Sequence, residues 1–201
     1  MVRHGWHDAD ESMGEEMKLS ELFTKHGSDK NIDHSYGPFY DAKLGPRKDS
    51  VRAVLEVGIQ RGFNLTALRD FFENATIAGM DNGANECAVI CNSDWGCRVA
   101  GFAGDSTKPT AFRKDWFDII IDDGSHQIED QLATFRNLWP HLAHGGIYIC
   151  EDLQSVGDAC RMAAANGGQI EEFWHKSGRA DDFCGGRRSC NGAAGDGVLG
   201  Y

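Results

Sequence analysis

Near its N-terminus the 201-residue chain has no hydrophobic core segment: MVRHGWHDADESMGEEMK turns acidic within a few residues, and no apolar run elsewhere approaches membrane-spanning length. A signal peptide and a membrane-spanning helix are therefore not expected. The seven cysteines are an odd count and contain no CxxC pair, and Cys150 falls inside an apolar run. Reduced thiols in the cytoplasm are expected, not a disulfide framework. Cys87, Cys91 and Cys97 have a spacing that fits no common zinc pattern. Basic residues are outnumbered, 20 against 31 acidic, for a net charge of −11. That balance argues against nucleic acid or an anionic membrane as the main partner and favours a small-molecule substrate.

The hydrophobic content of 41% and the length suit one globular domain. Two stretches organise it, Phe117–His126 (FDIIIDDGSH) and Gly145–Leu153 (GGIYICEDL). Each starts as a short apolar run and ends abruptly in acidic residues, Asp122 and Asp123 in the first, Glu151 and Asp152 in the second. Strands of a parallel sheet are buried on both faces and read as continuous apolar runs, with ligands outside their carboxyl ends. Both acidic pairs are thus expected at one sheet edge, with His126 three residues beyond Asp123. Four converging carboxylates repel unless spread apart, protonated or neutralised, and hard oxygen ligands suit magnesium or manganese. The cluster reads as a metal and catalytic site. Taken singly, Asp122-Asp123-Gly124-Ser125 also suits a turn and helix cap, and Glu151, Asp152 and His126 suit a solvated loop.

Residues 1–17 read as a disordered N-terminus. Residues 18–27, KLSELFTKHG, place Leu19, Leu22 and Phe23 at helical spacing and end in glycine, predicting a short amphipathic helix. The next stretch, SDKNIDHSYGPFYDAKL, is rich in turn formers and hydrogen-bonding residues, Tyr36 among them. It reads as a polar surface loop with a second use as a lid over a cofactor. Val51–Gly58 is the first strand, and it runs into a turn bounded by Gly58 and Gly62, then a helix with Leu65, Leu68, Phe71 and Phe72 on its apolar face. Strand, glycine turn and helix form the first unit of a nucleotide-type site.

Thr76–Met80 is a second strand ending in Asp81, roughly the ~20 residues past the glycine turn expected of a carboxylate that accepts ribose hydroxyls. Asp81 equally suits the turn residue of Asp-Asn-Gly. Strand three covers Arg98–Ala103 and leads to Asp105, placed to face an adenine. Phe117–Ile121 and Gly146–Cys150 are strands four and five, with an amphipathic helix from about Gln127 to Leu142 between them. The alternation predicts an α/β, doubly wound, mostly parallel Rossmann-like sheet.

Together, VLEVGIQRG, MDNG, GDS, FDIIIDDGSH and GGIYICEDL resemble the S-adenosylmethionine-dependent methyltransferases of class I fold. More narrowly they resemble the metal-dependent macrolide-sugar O-methyltransferases and the related cephalosporin-hydroxylase-like proteins. HGSDKNIDHSYGPFYDAKL resembles the segment that precedes the domain in that group. The resemblance spans about residues 19–155. It implies that Glu56 and Gly58 line the methionine end of S-adenosylmethionine, that Asp81 holds the ribose, that Asp123, Glu151 and Asp152 bind Mg2+ or Mn2+, and that His126 is the general base. Tyr36, Gly62, Asp105 and Asp122 join the cofactor-binding set, Asp122 pointing to the other face of its strand.

The implied activity is Mg-assisted O-methylation of a hydroxyl on a small molecule, a sugar or natural product. A catalytically degenerate scaffold is the alternative. A NAD-type oxidoreductase ranks last, since Gly58-Ile59-Gln60-Arg61-Gly62 is not GxGxxG and no Tyr-x-x-x-Lys pair occurs. The expected domain covers 18–156, and monomer or homo-oligomer stays open. Residues 157–201 hold ten glycines and only two β-branched residues, Ile170 and Val198. They read as an irregular, truncated tail without the sheet's last strands, apart from one short helix over 169–176.

Overall fold

The computed structural model describes residues 16–83, 97–166, 172–175, 178–179 and 197–200. Five parallel strands form the centre: β1 (Ala53–Val57), β2 (Thr76–Asp81), β3 (Val99–Ala103), β4 (Phe117–Asp122) and β5 (Leu142–Cys150), in the order β3-β2-β1-β4-β5. In β1 all five residues are buried, as befits a strand covered on both sides.

The pleat sorts side chains between two cores. Val54, Ile77, Ile119, Ile121, Ile147 and Ile149 face one side, where α1 (Leu19–His26), α2 (Gly37–Leu44) and α3 (Phe63–Phe71) pack through Phe23, Tyr40, Leu65 and Leu68. Leu55, Val57, Ile120 and Tyr148 face the other, against α4 (Ile128–Leu138) and α5 (Val156–Ala165), which contribute Leu132, Phe135, Leu138 and Met162.

Several expectations change. The supposed surface loop after α1 is a short 3-10 turn, Asp29–Asn31, followed by α2 with Pro38 in its first turn. Its Lys30, Tyr36 and Tyr40 are buried. The helix expected to reach Leu142 stops at Leu138, because Pro140, lacking an N–H, sits in a 3-10 turn that turns the chain into β5. That strand starts at Leu142, four residues before its predicted start.

The sheet does not lack its last strands. β8 (Gly197–Gly200) pairs antiparallel with β5, and β6 (Glu172–His175) pairs antiparallel with β8, followed by β7 (Gly178–Arg179). The helix expected over 169–176 is strand at 172–175. Strands of four residues, EFWH in β6 and GVLG in β8, carry too little apolar alternation to be seen in sequence, while pairing needs only their backbone. Reduced thiols hold for Cys97 and Cys150 but not for Cys160, which is disulfide-bonded. Residues 1–15, Cys87, Cys91, Cys184 and Cys190 lie outside the described residues. Among those described, no helix is long and apolar enough to cross a membrane.

Candidate active site

The turn after β1 brings two strand ends into contact. Gly58 has φ +86°, and a Cβ there would lie 2.0 Å from the Asp123 carbonyl oxygen, so only glycine lets the backbones meet this closely. Gly62, at φ +75°, is the left-handed N-cap of α3 and does not reach the cleft wall. Asp81 Oδ2 accepts from the Ile59 N–H at 2.8 Å and Oδ1 from the Gly83 N–H at 2.8 Å, which fixes the carboxylate across the turn.

Above these ends opens a cleft of about 690 Å³ walled by Glu56, Gly58, Asp81, Asp123, His126 and Asp152 among others. A second cavity of about 350 Å³ shares Gly58, Asp81 and Gly124 with it and is lined by Asp105, Asp122, Gln131 and Thr134. Asp105 is exposed, and hydrogen bonds from Thr107 hold its carboxyl below the usual range.

Strand parity decides which carboxylates meet. Glu56 lies two residues beyond Val54 and Glu151 two beyond Ile149, so both project to the side covered by α1 and α2. Lys30, 1% exposed, enters from that side. Its Nζ donates to Asp123 Oδ2 at 2.8 Å and to Glu151 Oε2 at 2.6 Å, and lies 3.7 Å from Glu56 Oε1. Burial opposes the ammonium charge, but Asp123, Glu151 and Glu56 outweigh it and hold the Lys30 pKa well above the ordinary lysine value.

The Tyr40 hydroxyl donates to Glu151 Oε1, and Asn64 Nδ2 to Glu56 Oε1. Burial pushes Glu56 up to about 7 against the pull of Lys30, and Glu151 up to about 8 for the same reason. Burial also acts on Asp123, yet Lys30 and His126 hold it below the usual carboxylate range. Glu56 Oε2 is buried with no hydrogen-bond partner among the described residues, in the wall of the cleft.

On the solvent side of this cluster, His126 Nε2 lies 3.1 Å from Asp123 Oδ1 and 3.5 Å from Asp152 Oδ2. The hydrogen bond to Asp123 raises the imidazole pKa above its usual value, against partial burial. His126 and Asp152 both adopt positive φ, +58° and +52°, uncommon conformations for non-glycine residues. Tyr36 stands behind the wall, its hydroxyl donating to Asp152 Oδ1 at 2.6 Å and its ring stacked on His34 at 5.0 Å. Asp122 turns to the opposite face, where Tyr148 O–H donates to it at 3.1 Å, and it lines the second cavity.

The structure therefore brings Asp123, His126 and Asp152 together, with one ligand atom from each within 4.8 Å of the others. Glu151 adjoins them but is turned to Lys30 and Tyr40. Glu56, Gly58 and Asp81 share the cleft, whereas Asp105 and Asp122 line the adjoining cavity. Sequence reading missed Lys30, Tyr40 and Asn64. Asn64 sits eight residues past Glu56, in the first turn of α3, and the helical spacing after the glycine turn was its available signal.

No family model matches the chain. It is 30% identical over 149 residues to 8-demethyl-8-alpha-L-rhamnosyl tetracenomycin-C 2'-O-methyltransferase of Streptomyces olivaceus, covering 68% of this chain and 38% of that protein. It is 33% identical over 148 residues to demethylmacrocin O-methyltransferase of Streptomyces fradiae, covering 67% and 36%. The chain thus spans little more than a third of these curated relatives. Among solved structures, MycE methyltransferase of the mycinamycin pathway, in complex with Mg, SAH and mycinamycin VI, matches with a TM-score of 0.60 and 26% identity, over 83% of this chain and 43% of that one. By sheet order and likeness, the chain has the Rossmann-like fold of the class I S-adenosylmethionine-dependent methyltransferases and resembles, over about two thirds of its length, the O-methyltransferases named above.

Proposed function

We propose that the chain carries out S-adenosylmethionine-dependent, Mg-assisted O-methylation of a hydroxyl on a small molecule, a sugar or natural product. The observation that carries this reading is the convergence of Asp123, His126 and Asp152 on the wall of the cleft that begins at the Gly58 turn. The donor set is rich in oxygen, as Mg2+ or Mn2+ prefers, and its atoms are close enough to share one ion. Asp123 and Asp152 would hold the cation, with Glu151, whose oxygens keep lone pairs beyond those used by Lys30 and Tyr40, completing the set.

The unpartnered Glu56 Oε2 and the Gly58 turn fit the methionine end of the cofactor, and Asp81 the ribose. Asp105 and Asp122 fit the base side, where the second cavity continues the cleft. Gly62 supports this set by capping α3, and Tyr36 by fixing Asp152.

When bound, the cofactor supplies an electrophilic methyl group and the divalent cation supplies charge that eases loss of a hydroxyl proton. The other ring nitrogen of His126, Nδ1, takes that proton, while Nε2–H donates to Asp123, which orients the ring and stabilises the imidazolium once it forms. Asp123 is itself fixed by Lys30, so the base stands on a carboxylate that cannot swing away. The partner is then a small hydroxylated acceptor, without nucleic acid or membrane. The compartment under this reading is the cytoplasm, with Cys160 the exception to its reduced thiols.

Turnover of hydroxylated sugars with S-adenosylmethionine should require Mg2+ and stop on chelation, and His126→Ala should lower kcat about 10²–10⁴-fold. Turnover undiminished by both treatments removes the mechanism. Calorimetric binding of S-adenosylhomocysteine without turnover on any acceptor would make the chain a scaffold instead.

A further inference from the structure

The cluster contains a cation whose charge, beyond fixing Asp123, has no part in the proton transfer. Lys30 comes from outside the sheet, on the 3-10 turn that follows α1, and its ammonium is buried between Glu151, Asp123 and Glu56 at 2.6, 2.8 and 3.7 Å. Among the described residues, no other lysine or arginine forms an ion pair with these three. Three carboxylates this close destabilise the fold when ionised unless compensated, and two of the partners, Asp123 and Glu151, also belong to the set that would hold the metal.

We propose that Lys30 is a positioning residue, a built-in counter-cation that keeps the acidic site assembled before a divalent cation arrives and lowers the affinity with which it is then bound. The inference rests on the metal-assisted reading above. The geometry gives the two effects together. By donating to Asp123 Oδ2, Lys30 leaves Oδ1 facing His126 and the cleft, which presets the ligand atom. The same positive charge lies one carboxylate away from where a cation would sit, and like charges repel through a protein interior more strongly than through water. Tyr40 on Glu151 and Asn64 on Glu56 hold the remaining carboxylates toward Lys30. The site is thereby readable as tuned for weak, exchangeable metal binding with little rearrangement.

The test is thermal unfolding and Mn2+ titration of the full chain as wild type, Lys30→Met and Lys30→Arg. Lys30→Met should lower the metal-free midpoint, gain at least about twice the wild-type shift at saturating Mn2+, and bind Mn2+ about tenfold or more tightly by electron paramagnetic resonance. Lys30→Arg should behave as wild type. A merely structural lysine would lower the midpoint and leave the metal-induced shift and the affinity unchanged, and that result overturns the proposal.

If Lys30→Met does not fold without metal, the double variant Lys30→Met/Glu151→Gln decides. Removing both partners should restore the metal-free fold, and failure to do so overturns the counter-cation role. A wild type that ignores Mn2+ in both measurements fells the metal reading and this inference together, whereas a responsive wild type with an equally responsive Lys30→Met fells only the inference.

Discussion

Asp122 and Asp123 are consecutive, yet the end of β4 separates their environments. Asp123 is compensated by Lys30 and His126 at hydrogen-bond distance, while Asp122 takes its hydrogen bonds from neutral donors, Tyr148 O–H and the Gly124 N–H, and feels the His126 charge more weakly than its own burial. Burial therefore dominates at Asp122 and raises its carboxyl from 3.8 to about 7. A carboxyl raised on folding binds its proton more tightly in the native state. Its contribution is fully present below the unfolded pKa and is lost as pH climbs through the interval up to about 7. Asp122→Asn removes this titration while keeping an acceptor for Tyr148. In chelator, the variant's Tm relative to wild type should rise between about pH 4 and about pH 7 and then level off. A difference that stays flat over that range would mean Asp122 is ionised throughout and is neutralised by a partner the present geometry does not contain.

The segment from α1 to α2 has the strongest claim to control the site at the scale of elements, because Lys30, Tyr36 and Tyr40 all reach the carboxylates from it. Its placement depends on Phe23, fully buried with its ring edge-on to Tyr40 at 5.2 Å, on Ser20 donating to Asp41 at 2.6 Å, and on His26 beside Asp70 at 2.8 Å. Phe23→Ala should cost about 3–5 kcal/mol by urea unfolding, since the cavity opens between α1 and the tyrosine that holds Glu151. A loss below about 1 kcal/mol would mean that α1 only leans on the sheet. This segment is also where sequence reading failed most. β1, β2 and β4 and the acidic ends of β4 and β5 were legible because doubly covered strands are uninterrupted apolar runs that stop where the sheet stops. SDKNIDHSYG shows no such pattern, and Lys30 and Tyr36 within it are buried because tertiary partners from residues 56 to 152 satisfy them. A buried lysine has no local signature.

For the whole molecule, the question is whether a chain spanning 36–38% of its curated relatives still holds a complete cofactor cleft. Every described residue lining the larger cleft falls between Gly27 and Asp152, and the described lining of the second cavity falls between Val57 and Thr134. Strands β6 and β8 extend the sheet beyond β5, on the side away from β1, next to the strand that leads to Glu151. A binding site made wholly from one stretch of chain should work in that chain alone, and binding to the native state raises its stability by mass action. At about 100-fold its Kd, S-adenosylhomocysteine should add about 2.7 kcal/mol and raise the Tm by about 5–11 °C. NADH at the same concentration should leave it unchanged, because the Gly58–Gly62 turn is not built for a pyrophosphate. Equal shifts from both ligands, or a shift from NADH alone, would contradict the cofactor assignment and with it the roles given to Glu56 and Asp81.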